Sequence, residues 1–217
     1  MKRKKINPAL LKVQNGALAA VRKLVCENPI LISGLSLGPV VAISQSLKAG
    51  VSLSVAFAII IVPVLVLFAV NPIKIPKSLR VILCALVSSL FFIPAFWFAK
   101  NIFPEVSDKV GVFLPLMVVN PIITAHSGEA VRSKRPLQSF IDGLITTLGF
   151  SLVMILVSAI REIFGKGTLW DKPLGSMQGN ISFLLPFMGF IIVGLLAAGA
   201  KRLLMLLDDK KKGENTK

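Results

Sequence analysis

Few side chains in this sequence could carry a proton or a charge inside apolar surroundings: His126, Glu129, Asp142, Arg161 and Glu162. An ionisable group in such a place marks an ion path or a contact with another protein chain, because hydrocarbon does not solvate charge. His126, the single histidine, closes an apolar run together with Ser127, Gly128 and Glu129. It reads either as an interfacial cap or as a proton-transfer group. Asp142, before Gly143, heads another run, where an acid meets the positive end of a helix dipole, so capping competes with ion binding there. Arg161 and Glu162 close that same run, either as membrane-edge anchors or as docking or ion-path residues. A second kind of signal is a proline within an apolar run: Gly38-Pro39 and Asn120-Pro121. Proline removes a backbone hydrogen bond and clashes with the preceding turn. In lipid the freed carbonyl must be satisfied by protein, water or a ligand. Gly38, Pro39, Asn120 and Pro121 are therefore expected to form a central site at two broken helices.

Other chemistries are excluded. The chain has no phosphate-binding glycine loop, no dinucleotide fingerprint, no nucleophile triad and no metalloprotease pattern. Gly165-Lys166-Gly167-Thr168 resembles a phosphate loop only superficially, since the upstream glycine is missing. Cys26 and Cys84 lie far apart, with neither metal-ligand spacing nor a disulfide frame, and read as small half-buried residues. No catalytic residue, metal site or resident cofactor is expected in this chain alone.

The elements that must position these residues are membrane helices. The 217 residues are 54% hydrophobic with a mean hydropathy of +0.80, more apolar surface than a soluble fold of this size can hide. Crossing the bilayer takes roughly 20 apolar residues, and six charge-free windows of that order occur: 28–47, 49–73, 81–99, 110–128, 143–160 and 173–200. The last is long enough to include a loop before its helix. A basic segment 1–27 precedes them and reads as a surface segment, with an amphipathic helix over Ala9 to Leu24, not as a cleaved signal. The membrane domain covers 28–207, and 208–217 is a polar tail expected to be disordered.

The net charge of +15 is topogenic. No basic stripe interleaves with aromatic residues, so nucleic acid is not a partner. With the N-terminus inside and six alternating helices, 19 of the 25 Lys and Arg residues fall on the inner side and 6 on the outer. That bias places both termini in the cytoplasm of a bacterial cell and the chain in its cytoplasmic membrane.

Leu37 to Ser44 (LGPVVAIS) pairs with Asn120 to Ser127 (NPIITAHS), aligning Ala42 with Ala125 and Ser44 with Ser127. This divides the chain into two sets of three helices, and an odd number per set inverts one relative to the other. The expected fold is thus an all-α polytopic membrane protein: six transmembrane helices as two inverted three-helix repeats, the first and fourth helices broken. Gly189, Gly194, Ala197, Ala198 and Gly199 give the sixth helix a close-packing face.

Asp142-Gly143-Leu144, Leu148-Gly149-Phe150 and the stretch Arg161-Glu162-Ile163-Phe164-Gly165-Lys166-Gly167-Thr168-Leu169 resemble the Rnf/Nqr integral membrane subunits. Asn28-Pro29 and Glu129-Ala130 fit the same pattern, and the likeness covers about residues 24 to 207. The orientation resembles the Rnf E and Nqr D subunits. The resemblance implies an inverted pair of six-helix subunits in an ion-pumping oxidoreductase that couples electron flow from NADH or ferredoxin to transport of sodium ions or protons. It also implies that each partner offers two cysteines from its broken helices to one iron–sulfur cluster, a four-thiolate set. Here the family's cysteine positions hold Gly38 and Pro121, so the 2Fe-2S cluster is expected to be absent. Three readings follow. The chain is a divergent subunit of such a complex, alongside an inverted homologous subunit and other Rnf/Nqr-type subunits. It is a stand-alone relative, a homodimer or similar pair, moving a small solute or ion. Or it is a membrane scaffold.

Overall fold

The computed structural model describes residues 28–70, 76–175 and 179–215. The basic segment 1–27, with Cys26 and the amphipathic stretch, lies outside them. Helices dominate: α1 (Pro29–Ser33), α2 (Leu37–Ile43), α3 (Leu47–Val70), α4 (Lys77–Ile102), α5 (Ser107–Phe113), α6 (Pro115–Val118), α7 (Pro121–Ser133), α8 (Pro136–Lys166) and α9 (Pro186–Asn215). Two 3₁₀ turns, Pro104–Val106 and Ile181–Leu184, and a two-residue hairpin, β1 (Thr168–Leu169) with β2 (Lys172–Pro173), fill the connections. The hairpin is antiparallel, with Thr168 opposite Pro173 and Leu169 opposite Lys172.

The chain is a multi-pass membrane protein. Among the described residues, five stretches are long and apolar enough to cross a bilayer: Leu47–Val70, Ser78–Ile102, Val110–Ser133, Pro136–Lys166 and Pro186–Leu206. The window 28–47 does not supply a sixth continuous helix. Asn28 starts α1 by accepting the Ile30 N–H, and Gly34, at φ 63°, stops it after five residues. Ser36, also left-handed at φ 63°, redirects the chain into α2. Asn28 donates to the Gly149 carbonyl and Arg161 donates to Val41, so α1 and α2 climb along α8 between those levels. Twelve residues of helix separate them, about 18 Å at 1.5 Å per residue, short of a full crossing. The fourth window is broken as well, into α5, α6 and α7. α9 is helical as far as Asn215, within the polar segment 208–217.

α3 is the axis of the bundle. Leu53, Phe57, Ile60, Ile61 and Val64 are wholly hidden among α4, α7 and α8. Phe57 meets Phe150 of α8 with ring centroids 4.4 Å apart, tilted by 34°. By contrast Leu90, Ile93 and Trp97 of α4 and Phe187, Ile191 and Leu195 of α9 stand exposed. So much open apolar side chain on long helices is what a lipid-facing surface requires.

The α3–α8 seam is close because its facing residues are small. A Cβ on Gly50 would run into the Ser158 hydroxyl, and one on Gly143 would lie 3.3 Å from the Val62 backbone. Without a hydrophobic drive between helices in lipid, such close approach is what holds them together. Gly50→Leu is therefore expected to destabilise the protein by about 1–3 kcal/mol through overpacking. Ser158→Ala should change stability little, because that buried hydroxyl has no hydrogen-bond partner. Thermal unfolding in detergent measures both; a Gly50→Leu protein as stable as the parent would contradict the packing.

Candidate functional site

The two helix breaks meet. Ser36, between α1 and α2, donates its hydroxyl to the Asn120 side-chain carbonyl at 2.5 Å. The same Asn120 Oδ1 accepts the Ile122 N–H at 2.9 Å and so caps α7. Asn120 Nδ2 points to the Met117 sulfur at 3.5 Å. Both partners are buried, Ser36 at 7% and Asn120 at 1% exposure. The starts of α2 and α7 are thereby tied side by side among apolar residues. A chain that breaks a helix in lipid must satisfy the freed groups itself, and here one amide oxygen serves both breaks.

Gly38 and Pro121 lie within two residues of that hydrogen bond, and both face outward. A Cβ at Gly38 would meet nothing within 4 Å. Pro121, the first residue of α7, borders a groove of about 440 Å³ shared with Arg80, Ala85, Val119 and Thr124. Pro39 is buried in the first turns of α2, so the break lies upstream of it, at Gly34 to Ser36. Proline at this depth removes no needed hydrogen bond, because the first N–H groups of a helix have no internal acceptor.

Neither Gly38 nor Pro121 carries a donor atom. Cys84 is buried on α4 beside Ser127 and Arg80, on a different element from either break. Among the described residues no group of three or more His, Cys, Asp or Glu could hold a metal ion. At the two breaks, Gly38 and Pro121 offer neither thiolate nor imidazole, the ligands that the irons of an iron–sulfur cluster take.

His126, Glu129 and Asp142 come together. With Ser139, Leu65 and Ala130 they line one cleft of about 10 Å³, where α7 ends and α8 begins. That volume is the lower limit for a single water. Glu129 is exposed, while His126 and Asp142 are half-buried.

Arg161 and Glu162 take a different place from the other ionisable residues. Both are fully buried, at 0% exposure, so neither side chain is open to a docking partner. Arg161 donates through Nη1 to the Val41 carbonyl at 2.5 Å and the Ser44 hydroxyl at 2.6 Å. Its Nη2 reaches the Leu184 and Leu185 carbonyls at 2.6 and 3.2 Å, and Nε reaches Phe183 at 3.1 Å. Glu162 accepts from the Leu47 N–H at 2.5 Å, the Asp171 N–H at 2.9 Å and the Thr168 hydroxyl at 3.2 Å. The cation thus closes the carbonyl end of α2 and the anion closes the amide end of α3. Each charge sits at the helix end that favours it. Gly167, left-handed at φ 68°, ends α8 and lets the chain turn back to bring Thr168 and Asp171 to Glu162.

Sequence reasoning missed Ser36, and named Ser44 and Asn28 only for the repeat and the family likeness, giving neither a place in the site. One signal was available: Asn-Pro-Ile stands at 28–30 and again at 120–122, and both asparagines cap their helices with the same backbone geometry. The Ser36–Asn120 bond had none, since 84 residues separate its partners.

Known proteins resemble this chain. The family described as Rnf-Nqr subunit, membrane protein, matches residues 17–197. The chain is 32% identical over 193 residues to the E subunit of the ion-translocating oxidoreductase complex of Shewanella oneidensis, covering 79% of this chain and 81% of that protein. It is 30% identical over 180 residues to the D subunit of the Na(+)-translocating NADH-quinone reductase of Serratia proteamaculans, covering 78% and 85%. The E subunit of the ion-translocating oxidoreductase complex of Shewanella piezotolerans is 31% identical over 193 residues, covering 79% and 81%.

Arg161→Met should strip four carbonyls and a hydroxyl of their donor and cost about 3 kcal/mol or more. Arg161→Lys should recover only part of this, since one ammonium cannot reach as many acceptors in as many directions. Thermal unfolding in detergent, followed by the fluorescence of Trp170 in the hairpin, checks the order. Equal stability of the methionine variant and the parent would remove Arg161 from its structural role.

Proposed function

Since the chain belongs to the Rnf-Nqr family of membrane subunits, we propose that it serves as an integral membrane subunit of an ion-translocating oxidoreductase complex. The family match carries this reading, because it runs from ahead of α1 into α9 and so takes in the whole bundle. The relatives named as parts of such complexes are matched over most of their own length. In this reading the chain lies in the cytoplasmic membrane of a bacterium with both termini inside, as its Lys and Arg distribution favours. An inverted homologous subunit packs on the face that carries Gly38 and Pro121, and other Rnf/Nqr-type subunits complete the complex.

The chain takes part without iron–sulfur ligands of its own. What supports this is the donor chemistry: glycine and proline stand where ligands would be needed, and Cys84 is on another element. The paired breaks around Ser36 and Asn120 form the central site, and His126, Glu129 and Asp142 line an ion path at the inner end. Transmembrane carboxylates and imidazoles gathered in one cleft are suited to pass a cation or a proton.

A second reading, a stand-alone carrier of a small solute or ion, draws on the same broken helices. Unwound backbone between half-helices is a common way to build a transport site.

Anaerobic purification in mild detergent separates the two. The proposal expects flavin- and iron-containing subunits to co-purify, and expects this chain, once isolated from them, to retain no stoichiometric iron or acid-labile sulfide. Recovery without redox partners would overturn the complex-subunit reading in favour of the carrier. Iron held by the isolated chain would overturn the loss of the cluster.

A further inference from the structure

A groove of about 440 Å³ lies between α4 and α7, with Arg80 at one end and Pro121 towards the other. Its walls are apolar, built from Val81, Ala85, Val118 and Val119. Arg80 stands in the first turn of α4 and packs on Gly128 near the end of α7, so the start of the span Ser78–Ile102 and the end of the span Val110–Ser133 share this side of the bundle. At 1.5 Å per residue Arg80 is about 3 Å inside the first span and Gly128 about 7 Å inside the second, the depth of lipid headgroups and the first acyl carbons. Pro121 is about 10 Å further along α7, towards the middle of the bilayer. Val81 and Val119 stand exposed on the groove, and Ile82, Leu86 and Leu116 stand exposed beside it. Its open side is therefore apolar at the level of hydrocarbon and cationic at the level of headgroups.

The Arg80 guanidinium is held but not used. A Cβ on Gly128 would lie 3.0 Å from its Cζ and Nη1 and 3.1 Å from its Nη2. Three near-equal distances put the face of the planar group against α7, so its N–H edge is not spent there. Among the described residues no hydrogen bond or ion pair engages the group. Nε alone is sealed off without a partner, which leaves the two Nη groups to the groove that Arg80 lines. No carboxylate lines that groove; Glu129 and Asp142 line a different cleft. Lys74 and Lys77, just before Arg80 in the sequence, add no acid. A guanidinium at a membrane boundary with its N–H groups unspent takes an anion, and phosphate fits its fork. We propose that this groove binds a phospholipid of net negative charge, phosphatidylglycerol in chemistry, with its phosphate on the Arg80 Nη groups and an acyl chain along Val118 and Val119. A zwitterionic headgroup would bring an ammonium for which no acid lines the groove. The proposal needs only that the chain spans a bilayer, and not the redox reading.

Native mass spectrometry of the delipidated full chain, titrated with phosphatidylglycerol or phosphatidylcholine of the same acyl composition, tests it. One phosphatidylglycerol should be retained in preference to phosphatidylcholine. Arg80→Gln should weaken that retention by about tenfold, the scale of a hydrogen bond to a charged group. Ala85→Phe, which fills the wall and leaves Arg80 in place, should weaken retention of both lipids. Lys100→Gln, at the other end of α4, should change neither. Equal retention of both lipids by the parent would overturn the proposal, since a groove covered by another protein chain and lacking a headgroup site gives that result. An unchanged preference in Arg80→Gln would overturn it, as would unchanged retention in Ala85→Phe or an equal loss in Lys100→Gln. Inorganic phosphate that displaces the lipid at equal concentration would overturn it too, because the site would then take a free anion and the apolar groove would select nothing.

Discussion

A chain that interrupts a helix inside a bilayer must supply hydrogen bonds to the groups it exposes, and this molecule meets that demand mainly with one guanidinium. Arg161 collects acceptors from the end of α2, from the turn after it and from the 3₁₀ segment before α9. A planar group with five donors is suited to this, because each N–H points at a different carbonyl without rearrangement. The positive charge is balanced by carbonyl dipoles, while Glu162 is balanced by backbone N–H groups and the amide end of α3. Two adjacent charges can thus be fully buried without being each other's partner.

That clasp fixes the first break in position, and the second is tied to it through Ser36 and Asn120. The result is a pair of half-helix starts held side by side within apolar packing. Gly38 and Pro121, the two outward residues there, carry no donor atoms. The clasp depends on Arg161, Ser36 and Asn120, and neither Gly38 nor Pro121 adds a side-chain hydrogen bond to it.

Around this centre the rest of the bundle divides by exposure. α3 is nearly all core, α8 buries one side through small residues, and α4 and α9 turn apolar side chains outward. Gly189 of α9 is the member of the small-residue stripe that packs within the chain, since a Cβ there would lie 2.9 Å from Val41. Gly194 and Gly199, on the same stripe, face open space. Close packing within the chain is used at Gly189 and not at Gly194 or Gly199.

The sequence by itself determined that this is a helical membrane protein, where most of its long helices run, and that two windows are interrupted. These follow from apolar run length, charge placement and helix-breaking residues, all local properties that bilayer thickness converts into structure. It also carried the family likeness, through Arg161 to Leu169. It did not determine where the first break falls, because nothing sets Gly34 and Ser36 apart from other small residues until their backbone turns left-handed. Nor did it assign Arg161 and Glu162, which at the end of an apolar run look like edge anchors. Only the tertiary structure brings α2, the Ile181–Leu184 turn and the start of α3 around them, from segments over 100 residues away along the chain in two of the three cases. A buried charge is stabilised by partners in space, and no local spacing encodes which distant carbonyls those will be.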